Sequence, residues 1–235
     1  MEAILSKIAN TESIPRLRRD VCRFFNNFGF KGFSYYLLQV GINAPAMMPV
    51  QNGYSRRARE VYLSQDYQRL DIVPRVVLAR GVPMLWSEVW ATSEVTAEEQ
   101  AFLETLCAVP IGDGLALPCY GPRGRNAHVG LGRMSENVVL IPSLVRKLHF
   151  VAQAAHLRVC EMFDHPYYGR RPLSTRERQI LEWVARGKSN SVIAEILTLA
   201  PGTVDTYLRR IYEKLDVADR TSAAVKGVGM GLIAA

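Results

Sequence analysis

Apolar residues recur along this chain with two different periods, and the switches between them divide it into elements. In residues 14–28, IPRLRRDVCRFFNNF, Leu17, Val21, Phe24, Phe25 and Phe28 fall at helical spacing and leave Arg18, Arg19 and Asp20 outward. FSYYLLQV at 33–40 is short, aromatic and aliphatic, as a buried strand requires. Helical patterns return over 55–67, 70–80 and 96–107. GLALPCYG and AHVGLGRM predict two strands about the turn PRGRN, and 142–163 predicts a long helix with Leu144, Leu148, Val151 and Ala155 on one face. Helices flanking a small sheet predict an α/β/α sandwich over residues 1–164. DHPYYGRRPL then breaks every period with Pro, Gly and paired Arg, so residues 165–172 read as a linker.

The remaining residues, 173–235, predict four helices and no strand, which makes the chain α+β as a whole. Ser174 and Glu177 form a capping box, the hydroxyl taking one free amide while the carboxylate reaches back to another. Gly187 suits the left-handed turn that ends a helix, and Ser189 suits the cap of the next. Pro201 fits the first turn of a third helix, where no amide partner is missed. In that helix Val204, Leu208, Ile211 and Leu215 fall within one narrow arc and predict the buried stripe. The opposite side holds Gly202, Asp205, Thr206, Arg209 and Glu213, with Arg210 at its edge. A helix held by neighbours and offering Thr and Arg outward suits a major groove, where Arg meets guanine edges or phosphates. The pattern by itself suits equally a surface pair of helices with solvated charges.

Charge and cysteine usage narrow the classes. The net charge is +7, and residues 166–235 hold 11 Lys+Arg against 7 Asp+Glu, so more than half the excess lies in that tail. This suits a domain that meets a polyanion. The start, MEAILSKIANTES, lacks a secretory signal pattern, and no apolar run approaches the ~18 residues that span a bilayer. Cys22, Cys107, Cys119 and Cys160 are scattered, which suits reduced thiols in a cytoplasmic protein without a membrane association.

From Leu173 to Ile233 the chain resembles the DNA-binding domain of the LuxR family. The family's L-[ST]-x-R-E start is present at Leu173, Arg176 and Glu177, and its turn at Trp183, Gly187 and Lys188. Ile193, Ala194 and Leu197 match the next helix, Thr203 and Val204 precede the recognition helix, and Lys214, Leu215, Val217, Arg220 and Ala223 follow it. Ala200 stands in place of the usual Ser cap, and Tyr207 where His is common. The resemblance implies binding to double-stranded DNA, as a homodimer on a palindromic operator. The residues assigned to that contact are Lys188, Ser189, Gly202, Thr203, Asp205, Thr206, Arg209, Arg210 and Lys214.

The segment YSRRAREVYLSQDYQRLDIVPRVVLARGVPMLW resembles the autoinducer-binding domain of quorum-sensing receptors in the same family. Tyr54, Tyr62, Tyr67, Asp71 and Trp86 keep that domain's register, Gly114 matches a family glycine, and 142–163 corresponds to a dimerisation helix. The resemblance implies a pocket for an N-acyl-homoserine lactone, in which Asp71 accepts the amide N–H and tyrosine hydroxyls reach the carbonyls. Read from spacing alone, the same aromatics suit an ordinary core and Asp71 a helix cap. Three positions depart from the pattern: Ala58 stands where a Trp donates its indole N–H, Ile72 where Pro follows the Asp, and Gly130 where a Ser or Thr faces the pocket. The assigned pocket residues are therefore Tyr54, Ala58, Tyr62, Asp71, Trp86 and Gly130. Three readings follow from the departures: a lactone with a bulkier or aryl acyl group, another small molecule, or a pocket filled from within.

Other features point away from chemistry. No acidic pair near the start suits a phospho-receiver domain, and no nucleophile, base and acid emerge together, so neither an enzyme nor a cofactor is expected. His149, His156 and Cys160 share a face of the long helix at spacings that suit packing better than a metal. GVGMG at 227–231 follows no strand and cradles no phosphate.

Overall fold

The computed structural model describes residues 1–37, 50–64, 67–163 and 172–234. They form two compact units, the first of Met1–Leu38, Ala46–Gly121 and Asn126–Met162, the second built on Phe163–Ala235. The linker expected at 165–172 lies outside the described residues except for Pro172, as do residues 38–40 of the expected first strand.

A five-stranded antiparallel sheet in the order β2-β1-β5-β4-β3 forms the middle of the first unit. Its strands are β1 (Phe30–Leu37), β2 (Val50–Asn52), β3 (Met84–Leu85), β4 (Leu115–Cys119) and β5 (Ala127–Met134). Strand alternation separates two faces. Phe33, Leu115, Leu117, Cys119, Ala127, Val129 and Leu131 pack into one core with α1 (Glu2–Asn10), α2 (Ile14–Asn26) and α8 (Pro142–Phe163). On α8, His149 Nε2 meets the Pro118 carbonyl oxygen at 2.7 Å and the buried His156 meets Tyr35 Oη at 2.8 Å. Those histidines therefore tie helix to sheet.

The opposite face carries α3 (Arg56–Ser64), α4 (Tyr67–Leu70), α5 (Ile72–Arg80), α6 (Trp86–Ala91) and α7 (Ala97–Cys107). The second core lies here, with Ile72, Val77, Met84, Val89 and Ala116. Asp71 caps α5 and Thr96 opens α7 with a capping box. The elements without a sequence signal are α1, β2, β3, α6 and α4, which falls across the break between the helices expected over 55–67 and 70–80. They are too short to display a period, or, in α1, bury only Ile4 and Ile8.

The second unit is four helices: α9 (Thr175–Ala185), α10 (Asn190–Ile196), α11 (Pro201–Leu215) and α12 (Arg220–Gly229). Ser174 and Ser189 cap as their positions require, and Gly187 adopts φ +74°. Val204, Leu208, Ile211 and Leu215 are buried against Ile180, Leu181, Val184 and Ile193. Beneath them Glu177, only 2% exposed, accepts from Lys214 Nζ at 2.6 Å and from the Ser174 amide at 2.6 Å. Burial pushes the Glu177 carboxyl up, but the Lys214 and Ser174 hydrogen bonds together outweigh it and hold the group below the ordinary glutamate value.

Replacing Lys214 by Met leaves that carboxylate buried with its capping bonds alone, a loss of roughly 1–3 kcal/mol. A depressed acidic pKa contributes stability above the unfolded value and loses it as pH falls through the folded one. The gap in unfolding midpoint between parent and Lys214→Met, followed by circular dichroism, is therefore expected to be full at neutral pH and to close in acid. An equal gap at every pH would show that Lys214 acts through packing alone.

Candidate ligand cavity and nucleic-acid face

A cavity of about 450 Å³ lies between the sheet and the α3–α7 layer. Its floor is a sheet face on which glycine and alanine stand among Ser34, Tyr36 and His128. Gly32 pairs with Gly132 and Ser34 with Gly130 across β1 and β5, while Ala116 pairs with Gly130 from β4. Two aromatic rings occupy the space that missing Cβ atoms leave. A Cβ on Gly132 would stand 2.5 Å from Tyr54 Oη and 2.6 Å from Trp86 Cη2, and one on Gly114 would stand 2.7 Å from the Trp86 ring. No other residue allows so close an approach of ring to backbone.

Local structure fixes each ring. Trp86 opens α6 with its amide donating to the Gly114 carbonyl oxygen at 2.9 Å. The next residue, Ser87, donates to Asp113 through both its amide (3.1 Å) and its hydroxyl (2.6 Å). Tyr54 follows Gly53, whose φ of +79° turns the chain from β2 toward α3, and the Arg133 guanidinium holds the Gly53 carbonyl.

Asp71 lines the cavity and caps a helix at once. Its Oδ1 accepts from the Val73 amide at 3.0 Å and its Oδ2 from Tyr62 Oη at 2.7 Å. Each carboxylate oxygen keeps a further lone pair for a donor in the cavity. Burial raises the Asp71 pKa above its ordinary value, against the pull of those two hydrogen bonds. Burial and the neighbouring Asp71 push Tyr62 upward, so its phenol keeps the proton it donates. Tyr62 stacks obliquely on Tyr67, which meets Tyr36 edge-on, and this aromatic row closes one side.

The wall includes Tyr54, Ala58, Tyr62, Asp71 and Trp86, so five of the six expected pocket residues surround one space. Gly130 is the exception and corrects an expectation. It lies under the floor, because the Ser34 hydroxyl fills its place, 2.4 Å from where a Cβ would stand. The hydroxyl expected at 130 thus comes from the neighbouring strand. Ser34, Gln51 and His128 are the wall residues the sequence reading missed. Alternation in FSYY and AHVG could have set Ser34 with Tyr36, and His128 with Gly130, on one face.

Three buried polar atoms of wall residues have no hydrogen-bond partner: Gln51 Oε1, Tyr54 Oη and His128 Nε2. Tyr54 Oη lies beside Ser34 and the Gly132 backbone without reaching bonding geometry. One other buried atom among the described residues, Ser93 Oγ, shares this condition, so the deficit concentrates at the cavity.

In the second unit Lys188, Ser189, Gly202, Asp205, Thr206, Arg209 and Arg210 are exposed and Thr203 is half-buried. Asn190 Nδ2 donates to Asp205 at 2.7 Å, and Arg220 donates to Asn190 Oδ1 at 2.7 Å and to the Lys188 carbonyl oxygen. This chain braces α10, α11 and α12, so Asp205 serves the bracing of α11. Arg209 has no hydrogen-bond or ion-pair partner among the described residues, while Arg210 lies 5.8 Å from the Tyr207 ring centre. Lys214 departs from the rest of the assigned set, since Glu177 and the Pro172 carbonyl oxygen hold its ammonium.

A sensor-like sheet enclosing a cavity, joined to a helical unit with an exposed basic helix, defines a two-part regulator. The family described as "Autoinducer binding domain" matches residues 13–159, and "Bacterial regulatory proteins, luxR family" matches 171–226. The chain belongs to the LuxR family of quorum-sensing transcriptional regulators, DNA-binding proteins rather than enzymes. It is 26% identical to the quorum sensing-dependent regulator RpaR of Rhodopseudomonas palustris, over 94% of this chain and 92% of that protein. The putative regulator y4qH of Sinorhizobium fredii is 28% identical, over 74% of this chain and 54% of that protein. The fold matches the crystal structure of Escherichia coli SdiA with a TM-score of 0.79 at 18% identity, covering 100% of this chain and 98% of that one. SdiA is also known in complex with octanoyl-rac-glycerol.

Gly132→Ala tests the floor. Its methyl meets two rings wedged between sheet and helices, and overpacking of that kind costs about 1–3 kcal/mol. The sensor is expected to melt several degrees lower, whereas Gly202→Ala, where a Cβ meets nothing within 4 Å, leaves the midpoint of its own unit in place. Equal midpoints for Gly132→Ala and parent would mean that the rings yield freely.

Proposed function

We propose that the first unit senses a small amphipathic signal, an N-acyl-homoserine lactone or a relative of one, and that the second binds a palindromic operator in double-stranded DNA. The observation that carries the ligand half is the enclosed cavity whose wall joins Asp71 to three unpartnered polar atoms. An amide N–H of the signal answers Asp71, and carbonyl groups answer Tyr54. Burial of the signal replaces unsatisfied polar groups by bonded ones, so binding adds to folding stability by mass action. The described residues contain no helix long and apolar enough to cross a membrane, which supports a cytoplasmic location.

Ala58 favours a second reading for the ligand head. It lines the cavity without a donor, so a lactone carbonyl gains no indole N–H there. An acyl ester with hydroxyl groups needs no such donor, and SdiA, of the same fold, is known with octanoyl-rac-glycerol. On either reading the operating unit is a homodimer. Phe150 (58% exposed) and Leu157 (41% exposed) are seven residues apart on α8, an apolar stripe suited to a second copy. Two recognition helices fixed about one DNA turn apart then read the two half-sites.

The deciding experiment is a melting titration of protein purified without signal against acyl- and aryl-homoserine lactones and monooctanoylglycerol. A rise of several degrees with one class, absent in Asp71→Ala, is expected; indifference to every compound would overturn the sensing half. For the other half, Arg209→Ala is expected to lower affinity for the operator at least tenfold without moving the melting temperature, as loss of a base or phosphate contact should. Unchanged operator binding by gel shift would move the groove face elsewhere on α11.

A further inference from the structure

The strongest feature the reading above leaves unused is His128. It sits in the middle of β5, paired with Tyr36 on one side and Pro118 on the other, and is only 5% exposed. It lines the cavity, and its Nε2 has no partner. Its Cε1 stands 3.3 Å from where a Cβ on Gly130 would lie, the same point that Ser34 Oγ and Trp86 Cζ2 surround. Glycine at 130 therefore makes room for the Ser34 hydroxyl beside the imidazole, and both side chains line the cavity. A half-turn of the ring exchanges Cε1 with Nε2 and turns the unpartnered nitrogen to the side that Ser34 shares.

We propose that the cavity selects a signal carrying a neutral hydrogen-bonding group in its acyl or aryl part, received by His128 beside Ser34, so that His128 determines specificity. The inference rests on the reading of the cavity as a signal site and adds the chemistry of what enters it. Burial lowers the His128 pKa to about 4, so near neutrality the ring offers one N–H and one lone pair and no charge. Such a ring suits a hydroxyl, a phenol or a ketone. The wall includes the carboxylates of Asp71 and Asp113, and among the described residues no Lys or Arg, which disfavours a carboxylate or phosphate in that place. The surrounding Tyr36, Trp86, Trp90, Leu103 and Leu106 supply an apolar bed for the rest of that moiety.

The test uses matched pairs that differ by one group: benzoyl- against 4-hydroxybenzoyl-homoserine lactone, and octanoyl- against 3-hydroxyoctanoyl-homoserine lactone. Affinities are measured by calorimetry on the full chain, on His128→Leu and His128→Phe, which fill the site without a polar atom, and on His128→Gln, which retains one. In the parent, the hydroxylated member of at least one pair is expected to bind about tenfold tighter, the worth of one buried hydrogen bond. That preference is expected to vanish in the Leu and Phe variants and to return in part in His128→Gln. Equal affinities within both pairs in the parent, or a preference that survives in a folded Leu or Phe variant, would overturn the inference while leaving the cavity a signal site. Binding of no member of either pair would overturn this inference, and the melting titration then decides whether the sensing reading falls with it.

Discussion

Everything in the sensor depends on how closely two aromatic rings approach a sheet. A small domain gains stability by filling its interior, and an open volume of this size between sheet and helices forfeits packing that the chain could otherwise have. The structure manages this by separating the tasks of the two faces. One face carries Phe33, Leu115, Leu117, Val129 and Leu131 into a closed core with α8. The other carries Gly32, Gly130, Gly132 and Ala116 beside Ser34, Tyr36 and His128, and the Tyr54 and Trp86 rings come down onto its glycines. The dense face anchors the sheet, so the cavity face can remain open. Glycine weakens a strand, but these glycines lie on β1 and β5, each paired with a strand on both sides, which offsets that loss.

The second unit solves a different problem, the presentation of one helix at a fixed angle. Three side-chain hydrogen bonds tie its helices to one another. Glu177 to Lys214 ties α9 to α11, and Arg220 to Asn190 to Asp205 ties α12 through α10 to α11. With the stripe Val204, Leu208, Ile211 and Leu215 buried beneath, α11 is held on three sides and open on the fourth. Ala200 gives α11 no side-chain cap. Pro201 has no N–H and the Thr203 amide donates to the Ala200 carbonyl oxygen at 2.9 Å, so the Gly202 amide is the one left for water or an external acceptor such as a phosphate.

Much of this was legible in the sequence because it follows from period and capping. The buried stripe of α11, the two serine caps, the left-handed Gly187 and the long α8 all rest on local rules that tertiary structure did not override. Tyr54, Ala58, Tyr62, Asp71 and Trp86 were legible only through family register, since spacing alone suits a core equally well. What the sequence could not disclose was cross-strand. Ser34 reaches Gly130 only when β1 and β5 pair in one register, and nothing within FSYY fixes that register. Likewise Lys214 looked like part of the DNA face because its partner, Glu177, lies 37 residues away and behind the helix. The sequence reading also treated capping and pocket lining as rivals for Asp71, and the structure gives it both.

The departures from the family pattern are better understood together than one by one. Losing an indole at 58 takes a donor out of the helical wall, and losing a hydroxyl at 130 takes one out of the floor. If nothing else changed, the cavity would be larger and more apolar. Instead Ser34 moves a hydroxyl into the space above Gly130, and His128 brings an imidazole to the same edge. Polar capacity has thus shifted from the wall to the sheet, the most rigid part of the unit, where both residues are held by strand pairing on either side. A group on a strand has less freedom to adjust than one on a helix end or loop, so it discriminates more sharply between ligands that do and do not match it. The aperture left by Ala58 acts in the opposite sense, since a small apolar residue rejects little. On the proposed reading, selectivity resides on the paired strands, and tolerance where a ring has been removed.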